Sequence, residues 1–439
     1  MKQIGGPNCN LWTNLIDGTQ LMVECGIRVV ADNTSEIPPN AYPSFVGVDL
    51  DRLAGLVLTH AHIDHIGGLP KLLSTRKLCK TTPFDVWATA ETILVCKKVL
   101  VREKLSPQEI DQSVNFHILQ DEQTIGSFKV YAYPVIHSIP GTVAFVIETS
   151  DGKTFCHVSD FKYSRANTME FTQTSQMFRA IGEQNMVDAI LLDSSNVYTE
   201  GFTPSNHASL YEFGRIFSDP ELKDIEIIIA MFGSDAETVA DLAMIANQIG
   251  NRPVECVGDN MCFFSETFGA IDPMQQHTFP NAKVFIATGS QGEPRAAVTR
   301  AANGNNPPLE IKPGSIVIFA TRAIPGNREA LWAVIRKLRA MGVRVIVSDP
   351  EMLDSRLMTK LKIEEHEIPE VNSALHVSGH ESLAGLLQVV SEIATPGVTK
   401  VIPIHGGRGP RKQLAARISK QFDHKIEVAL LVDGERITF

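Results

Sequence analysis

Several things are scarce in this sequence of 439 residues. No apolar run approaches the roughly 18 residues that cross a bilayer, so no membrane span is expected. The start, "MKQIGGPNCNLWTN", has no apolar h-region, so no signal peptide is read. The seven cysteines, Cys9, Cys25, Cys79, Cys96, Cys156, Cys256 and Cys262, are odd in number and form no CxxC. That excludes a zinc ribbon and a disulfide framework, and it suits buried free thiols in a reducing cytoplasm. Basic excess is also missing. The net charge is −10, unlike the basic footprint of a nucleic-acid coat protein. It does not exclude a nuclease, because metal ions and a local groove of Arg and Lys can hold phosphates. One locally basic stretch, "GGRGPRKQLAAR" (406–417), reads equally well as a solvated helix face.

What is present is a globular composition, 44% hydrophobic and 21% charged. The length exceeds one ordinary core, which implies two domains or one interrupted by another. The first part reads as β. "NLIDGTQLMVECG" is a hairpin signal around Asp17-Gly18, "LAGLVLTH" a short buried strand, and "GTVAFVIETSDGKTFCHVSD" a strand pair turning at Asp151-Gly152. After about residue 200, strands such as "IEIIIAMF", "KVFIATGS" and "SIVIFAT" alternate with helical patterns such as "AETVADLAMIANQIG" and "REALWAVIRKLRAMG". That alternation implies a parallel α/β sheet. "TRAANGNNPPLEIKPG" reads as loop. Past residue 370 the chain returns to strand ends carrying histidines, "ALHVSGH" and "KVIPIHGG". The expected division is 1–195 and 366–439 as one domain, with 196–365 inserted as the other.

The densest chemistry is "LTHAHIDHIGGLP". His60, His62, Asp64 and His65 fall within six residues. They cannot share one helix face, because i, i+2 neighbours point apart. A loop between a strand end and the helix begun by "LPKLL" can fold them inward, with Gly67-Gly68 supplying freedom. Imidazoles suit zinc, and an added carboxylate admits manganese. His60 and His62 could hold one ion, and Asp64 and His65 a second. Further ligands are expected at other strand ends: His137 in "VIHSIP", Asp160 in "HVSDFK", where it could bridge, and His405 in "IPIHGG". Two ions about 3.5–4 Å apart would activate a hydroxide and clamp a phosphoryl oxygen. His117, His157, His207, His277, His366 and His424 read as ordinary core or surface residues.

"THAHIDHIGG" resembles the HxHxDH signature of the metallo-β-lactamase superfamily. "HSIPGTVAF", "SDFK", "DSSNVYTEGFTPS", "FIATGSQGEPRAAVTRAANG", "IPGNREAL", "HVSGH" and "VIPIHGG" together resemble ribonuclease J of the β-CASP branch, across essentially the whole chain. The resemblance implies a metallo-β-lactamase αββα sandwich with an inserted parallel α/β β-CASP domain. It implies metal ligands His60, His62, Asp64, His65, His137, Asp160 and His405, holding two divalent ions, with zinc favoured and manganese the alternative. It implies Asp193 as the motif A acid, His380 as motif B and His405 as motif C, with Asp64, Asp193 and His380 catalytic. A histidine at motif C is typical of RNA-directed members. Ser234, His376 and Ser378 match a pocket for the 5′-monophosphate of RNA; Ser234 alone would read as a helix N-cap.

The implied activity is metal-dependent hydrolysis of single-stranded RNA by a cytoplasmic protein, as a 5′-to-3′ exonuclease; endonucleolytic cleavage at the same centre and a homodimeric assembly stay open. A DNA-directed β-CASP nuclease and a small-molecule metallo-hydrolase are the alternatives. The chain departs from the family pattern at Glu24-Cys25-Gly26, where the family has "DAG". It departs again at Val158-Ser159-Asp160-Phe161, where the family has "TGDF", and at Phe232-Gly233-Ser234-Asp235, where it has "FASN". His380 and His405 are spaced slightly wider than in the family. The chain stops at "VDGERITF", where typical members carry a further C-terminal domain.

Overall fold

The computed structural model describes residues 2–3, 8–28, 41–77, 83–165, 167–270, 281–305, 307–431 and 435–439. Cys79 and His277 lie outside them. The described chain forms two compact units. One holds the residues up to Pro204 together with Gly379–Phe439, and the other is Ser205–Ser378.

The first unit is built from two sheets. One runs Lys2–Gln3, Asn10–Thr13, Gln20–Val23, Leu53–Val57, Phe84–Ala88, Val114–Ile118. The other runs Glu427–Val428, Lys400–Ile404, Ala189–Asp193, Thr154–Ser159, Val143–Thr149, Phe128–Pro134, Glu122–Ile125. Alternation along each strand sends side chains to opposite faces. Val143, Phe145, Ile147, Ala189 and Leu191 meet Trp12, Leu21, Val23 and Val57 between the sheets. Ala144, Val146, Ile190 and Leu192 turn the other way, onto Phe178 and Ile181 of helix Thr168–Gln184 and Leu386 and Val390 of helix Leu383–Ile393. Helix Ala90–Arg102 lies against strand Val114–Ile118 of the first sheet. The result is an αββα sandwich. Strands covered on both faces are expected to read as continuous apolar runs, as "AILL" does.

This layering positions the chemistry. Strands Thr154–Ser159, Ala189–Asp193 and Lys400–Ile404 run parallel. Their carboxyl ends carry Asp160, Asp193 and His405. In the other sheet, Gln20–Val23 and Leu53–Val57 are also parallel and end at Glu24 and Thr59-His60.

The second unit is a parallel sheet in the order Val254–Val257, Val284–Ala287, Ile227–Ala230, Ile316–Phe319, Arg344–Val347, Glu370–Val371. Trp332, Ile335 and Leu338 pack on one face, and Phe213, Phe217 and Leu242 on the other. The chain leaves Ile227–Ala230 toward one edge and leaves Ile316–Phe319 toward the other, so the gap between these two strands is the topological switch point.

Three readings of the sequence change here. Thr299–Asn303, expected as loop, ends helix Ala297–Asn303, because Ala301 and Ala302 are buried and Gly304 caps it at φ 65°. "ALHVSGH" is not a strand end; Ser373–Leu375 is a short 3-10 turn, and Leu375 and Val377 serve as core anchors. Gly67 and Gly68 are needed for space rather than freedom. Gly67 sits at φ −65°, and a Cβ on Gly68 would lie 2.8 Å from the Gly26 carbonyl oxygen.

Candidate metal centre

His60 follows strand Leu53–Val57, and Asp64 and His65 lie in the single helical turn Ile63–Ile66. Gly26 presses directly on that turn. A Cβ there would fall 1.6 Å from the Asp64 carbonyl oxygen. We expect Gly26→Ala to cost at least about 1–3 kcal/mol through overpacking, read as a lower thermal midpoint, and to empty the centre of metal.

The described residues form four overlapping groups able to hold a metal ion, two of which, Asp160/Asp193/His380/His405 and Glu24/His60/His65, add residues beyond the expected ligands; the other two, joined at Asp160, contain all seven expected ligands. His60, His62, His137 and Asp160 form one, and Asp64, His65, Asp160 and His405 the other, each with its ligand atoms within 4.8 Å of one another. In the first group, His60 Nε2 and His137 Nε2 lie 3.1 and 3.2 Å from His62 Nδ1. The opposite nitrogens of two of these rings are engaged: His60 Nδ1 is 2.9 Å from Thr59 Oγ1, and His137 Nδ1 donates to the Gly379 carbonyl at 2.8 Å. Unprotonated ring nitrogens therefore converge on one point, which only a cation or a proton can occupy. Asp160 Oδ1 is buried with no hydrogen-bond partner. The donor set, imidazoles with a shared carboxylate, fits divalent ions of the zinc type.

In the second group, His405 Nε2 is 2.9 Å from Asp64 Oδ2, and His65 Nε2 is 3.1 Å from Asp160 Oδ2. Asp193 stands behind both His405 and His380. Its Oδ1 lies 3.0 Å from His405 Nδ1 and its Oδ2 2.9 Å from His380 Nδ1. The His380 and His405 rings stack with centroids 5.4 Å apart.

Electrostatics divide the two groups. Burial, reinforced by the neighbouring imidazoles, holds His60 and His137 well below the ordinary histidine range, and burial puts His62 at about 4. For His65, burial opposes protonation, but Asp160, Asp64 and Glu24 overcome it and raise the ring to about 10. His405 also rises well above its ordinary value; Asp160 and Asp193 outweigh burial there. Burial alone would raise Asp64 and Asp160, but His65 and His405 hold both well below the carboxylate range. Metal must displace protons from the second group but not from the first. Titration at pH 7 should therefore show one ion entering with little proton release. The other should release about two protons, one each from His65 and His405. Calorimetry in buffers of different ionisation heat measures this, and equal release at both sites would contradict it.

Residues that sequence reasoning passed over complete the centre. Asn8 Nδ2 donates to the Asp64 carbonyl at 3.2 Å and lies 2.9 Å from His65 Nε2. His157, read as ordinary, is buried 3.9 Å from Glu24 Oε1. Ser195 Oγ donates to Asp193 Oδ2 at 3.0 Å. Glu24, Ser159 and His405 have φ of 65°, 59° and 48°. Such left-handed backbone in non-glycine residues is typical of functional sites. Only glycine announces it in a sequence, so these three gave no signal.

Ser234, His376 and Ser378 belong to the second unit. Ser234 follows strand Ile227–Ala230, and the Val377 N–H donates to the Ala320 carbonyl just past strand Ile316–Phe319. All three residues thus flank the switch point, and helix Asn206–Ser218 ties them together. Asn206 Nδ2 donates to Thr238 Oγ1 near Ser234, and Ser209 Oγ donates to the His376 carbonyl. Ser234 is not the N-cap of the helix that follows. Asp235 is, accepting from Thr238 N at 3.2 Å.

The double-sheet sandwich, the inserted parallel sheet and the joined His/Asp groups define a metallo-β-lactamase-superfamily protein with a β-CASP domain. Residues 21–196 match the beta-lactamase superfamily domain, and 257–338 match the beta-CASP domain of ribonuclease J. The chain is 27% identical over 415 residues to ribonuclease J of Mycolicibacterium smegmatis, covering 91% of this chain and 66% of that protein. It is 30% identical over 346 residues to ribonuclease J 1 of Streptococcus pyogenes, covering 74% and 58%. It thus spans about two thirds or less of the length of these relatives. A crystal structure of a protein of unknown function from Enterococcus faecalis V583 has the same fold. Its TM-score is 0.58 at 15% identity, over 99% of this chain and 97% of that one. The chain thus carries a beta-lactamase superfamily domain and a ribonuclease J beta-CASP domain, and it is similar to ribonuclease J over most of its length.

Proposed function

We propose that the protein is a metal-dependent ribonuclease that hydrolyses single-stranded RNA in the 5′-to-3′ direction and also cleaves internally at the same centre. The observation that carries this reading is the pair of donor groups joined at Asp160, with the Asp193–His380 pair beside them. Two divalent ions, zinc or manganese, would supply Lewis-acid activation of water and neutralise charge on a phosphoryl oxygen. His60, His62, His137 and Asp160 would hold one, and Asp64, His65, Asp160 and His405 the other.

The chain's own residues do the rest. Asp64, in the second group, also orients the attacking water. Asp193 fixes His380 through Nδ1, leaving Nε2 as the nitrogen that meets substrate. Burial opposes a charge on His380, yet Asp193 and Asp160 raise its pKa, so the ring retains a proton to give to the departing 3′-oxygen. In the second unit, Ser234, His376 and Ser378 at the switch point supply hydroxyl and imidazole donors for a 5′-monophosphate. Beside Ser234, the Asp235 carboxylate is buried and accepts from the Thr238 N–H, capping the helix that follows.

The six described cysteines are free, in keeping with the cytoplasm, and no described helix is long and apolar enough to cross a membrane. The substrate class is tested by giving the protein RNA and DNA of one sequence, with manganese or zinc and with a chelator. Cleavage of RNA alone, abolished by the chelator, is expected. Preferential cleavage of DNA would replace this reading with the DNA-directed one.

A further inference from the structure

Ser159 ends strand Thr154–Ser159 at φ 59°, where an L side chain is strained, and the pairing with strand Ala189–Asp193 slips between His157 and Ser159. The residue is 1% exposed, and its Oγ lies 2.9 Å from Thr59 Oγ1. Thr59 is the hub of a buried network. Its hydroxyl has one proton and two lone pairs, and it has three polar neighbours: Glu24 Oε1, His60 Nδ1 at 2.9 Å and Ser159 Oγ.

The directions of these bonds follow from the acceptor end. Glu24 Oε1 already takes the Thr59 backbone N–H at 3.3 Å and faces His65 Nδ1 at 3.3 Å. It is an acceptor, so the Thr59 hydroxyl proton goes to it. The two Thr59 lone pairs must then receive His60 Nδ1–H and the Ser159 hydroxyl proton. With Nδ1 protonated, His60 keeps Nε2 bare toward His62 and His137. Each donation polarises the next, so filling the last lone pair strengthens the chain that holds His60.

We infer that Ser159 is a positioning residue for the first ion: its hydroxyl, donating to Thr59, fixes the rotor that sets the tautomer and aim of His60. This rests on the metal-centre part of the proposed function and not on the identity of the substrate. The strained backbone is retained because the hydroxyl is needed at that point.

The test separates the hydroxyl from the strain. Ser159→Gly removes both, whereas Ser159→Ala removes the hydroxyl and keeps the strain. Zinc affinity is measured by competition with a chromophoric chelator, and the thermal midpoint is measured on metal-free protein. We expect both variants to bind the first zinc about tenfold more weakly, the low end of the range for outer partners of metal ligands. Ser159→Gly should melt at or above the wild-type temperature, and Ser159→Ala below Ser159→Gly. Wild-type zinc affinity in both variants overturns the inference. So does a Ser159→Gly melting point that falls along with affinity, which would make Ser159 a packing residue. A wild-type protein that takes up no zinc overturns both the metal-centre reading and this inference.

Discussion

Asp160→Asn should leave the purified protein with at most one metal ion per chain and lower RNA cleavage by at least ~10³-fold, about 4 kcal/mol at 1.36 kcal/mol per tenfold. Asp160 is the only described residue common to the two groups that contain the seven expected ligands. Its Oδ2 lies 3.1 Å from His65 Nε2 and 3.8 Å from His60 Nε2, and its Oδ1 lies 3.5 Å from His405 Nδ1. Asparagine keeps the shape but loses the charge, and it turns an N–H₂ toward rings whose lone pairs are needed. The charge also opposes two imidazoles, His65 and His405, whose pKa values are raised. Metal content by elemental analysis and initial rates on labelled RNA read the two effects separately. Two ions per chain and a near-normal rate would remove Asp160 from the bridging role.

The second large effect is expected at Asp193. Its carboxylate bonds to one expected ligand, His405, and to His380, and Asp193→Asn should slow cleavage by about 10²–10⁴-fold, the span of a general acid. The carboxylate is fully buried; burial would raise its pKa, but His380 and His405 outweigh burial and keep it ionised. It works in both directions, holding the proton on His380 and aiming His405. The sign of the pH effect follows. In the proposed mechanism His380 acts in its protonated form; burial lowers its pKa but Asp193 and Asp160 outweigh it, so activity should be lost as pH climbs through the raised value. Without the carboxylate the pKa drops, and the alkaline limb of the rate profile should move to lower pH. His380→Ala added to Asp193→Asn should cost little more, because the two residues act as one unit. Additive losses would mean that they work separately.

These two residues also show which parts of the centre a sequence displays. Asp160, His137 and His405 are legible because each ends an apolar run, and apolar runs covered on both faces are readable as strands; Asp193 is legible only through the family resemblance of "DSSNVYTEGFTPS". His60 to His65 are legible because four ligand types crowd one short turn. Thr59, Ser159, Asn8 and Ser195 are not legible. They act through single hydroxyl or amide contacts, and small polar residues at strand ends look alike whether they wire a site or face water. His157 fails for a related reason: one histidine in a strand carries no mark of what lies across the sheet. The shift of the helix cap from Ser234 to Asp235 is a one-residue ambiguity that two good capping residues in sequence cannot resolve. The paired glycines announce themselves, but their reason does not. For Gly68 it lies in the approach of Cys25-Gly26, more than forty residues away in the chain, and for Gly67 in the closeness of the Ile63 carbonyl and the Ile27 side chain.

Hydrolysis of RNA from its 5′ end at this centre is tested with a single RNA, labelled at its 3′ end and carrying either a 5′-monophosphate or a 5′-hydroxyl. It is incubated with the protein and manganese or zinc, with His62→Ala alongside. A ladder that shortens from the 5′ end is expected, faster with the monophosphate and absent with His62→Ala, because the His62 ring nitrogen sits between those of His60 and His137. Internal cuts indifferent to the 5′ group would contradict the role given to Ser234, His376 and Ser378. RNA left intact with either metal would contradict hydrolysis at this centre.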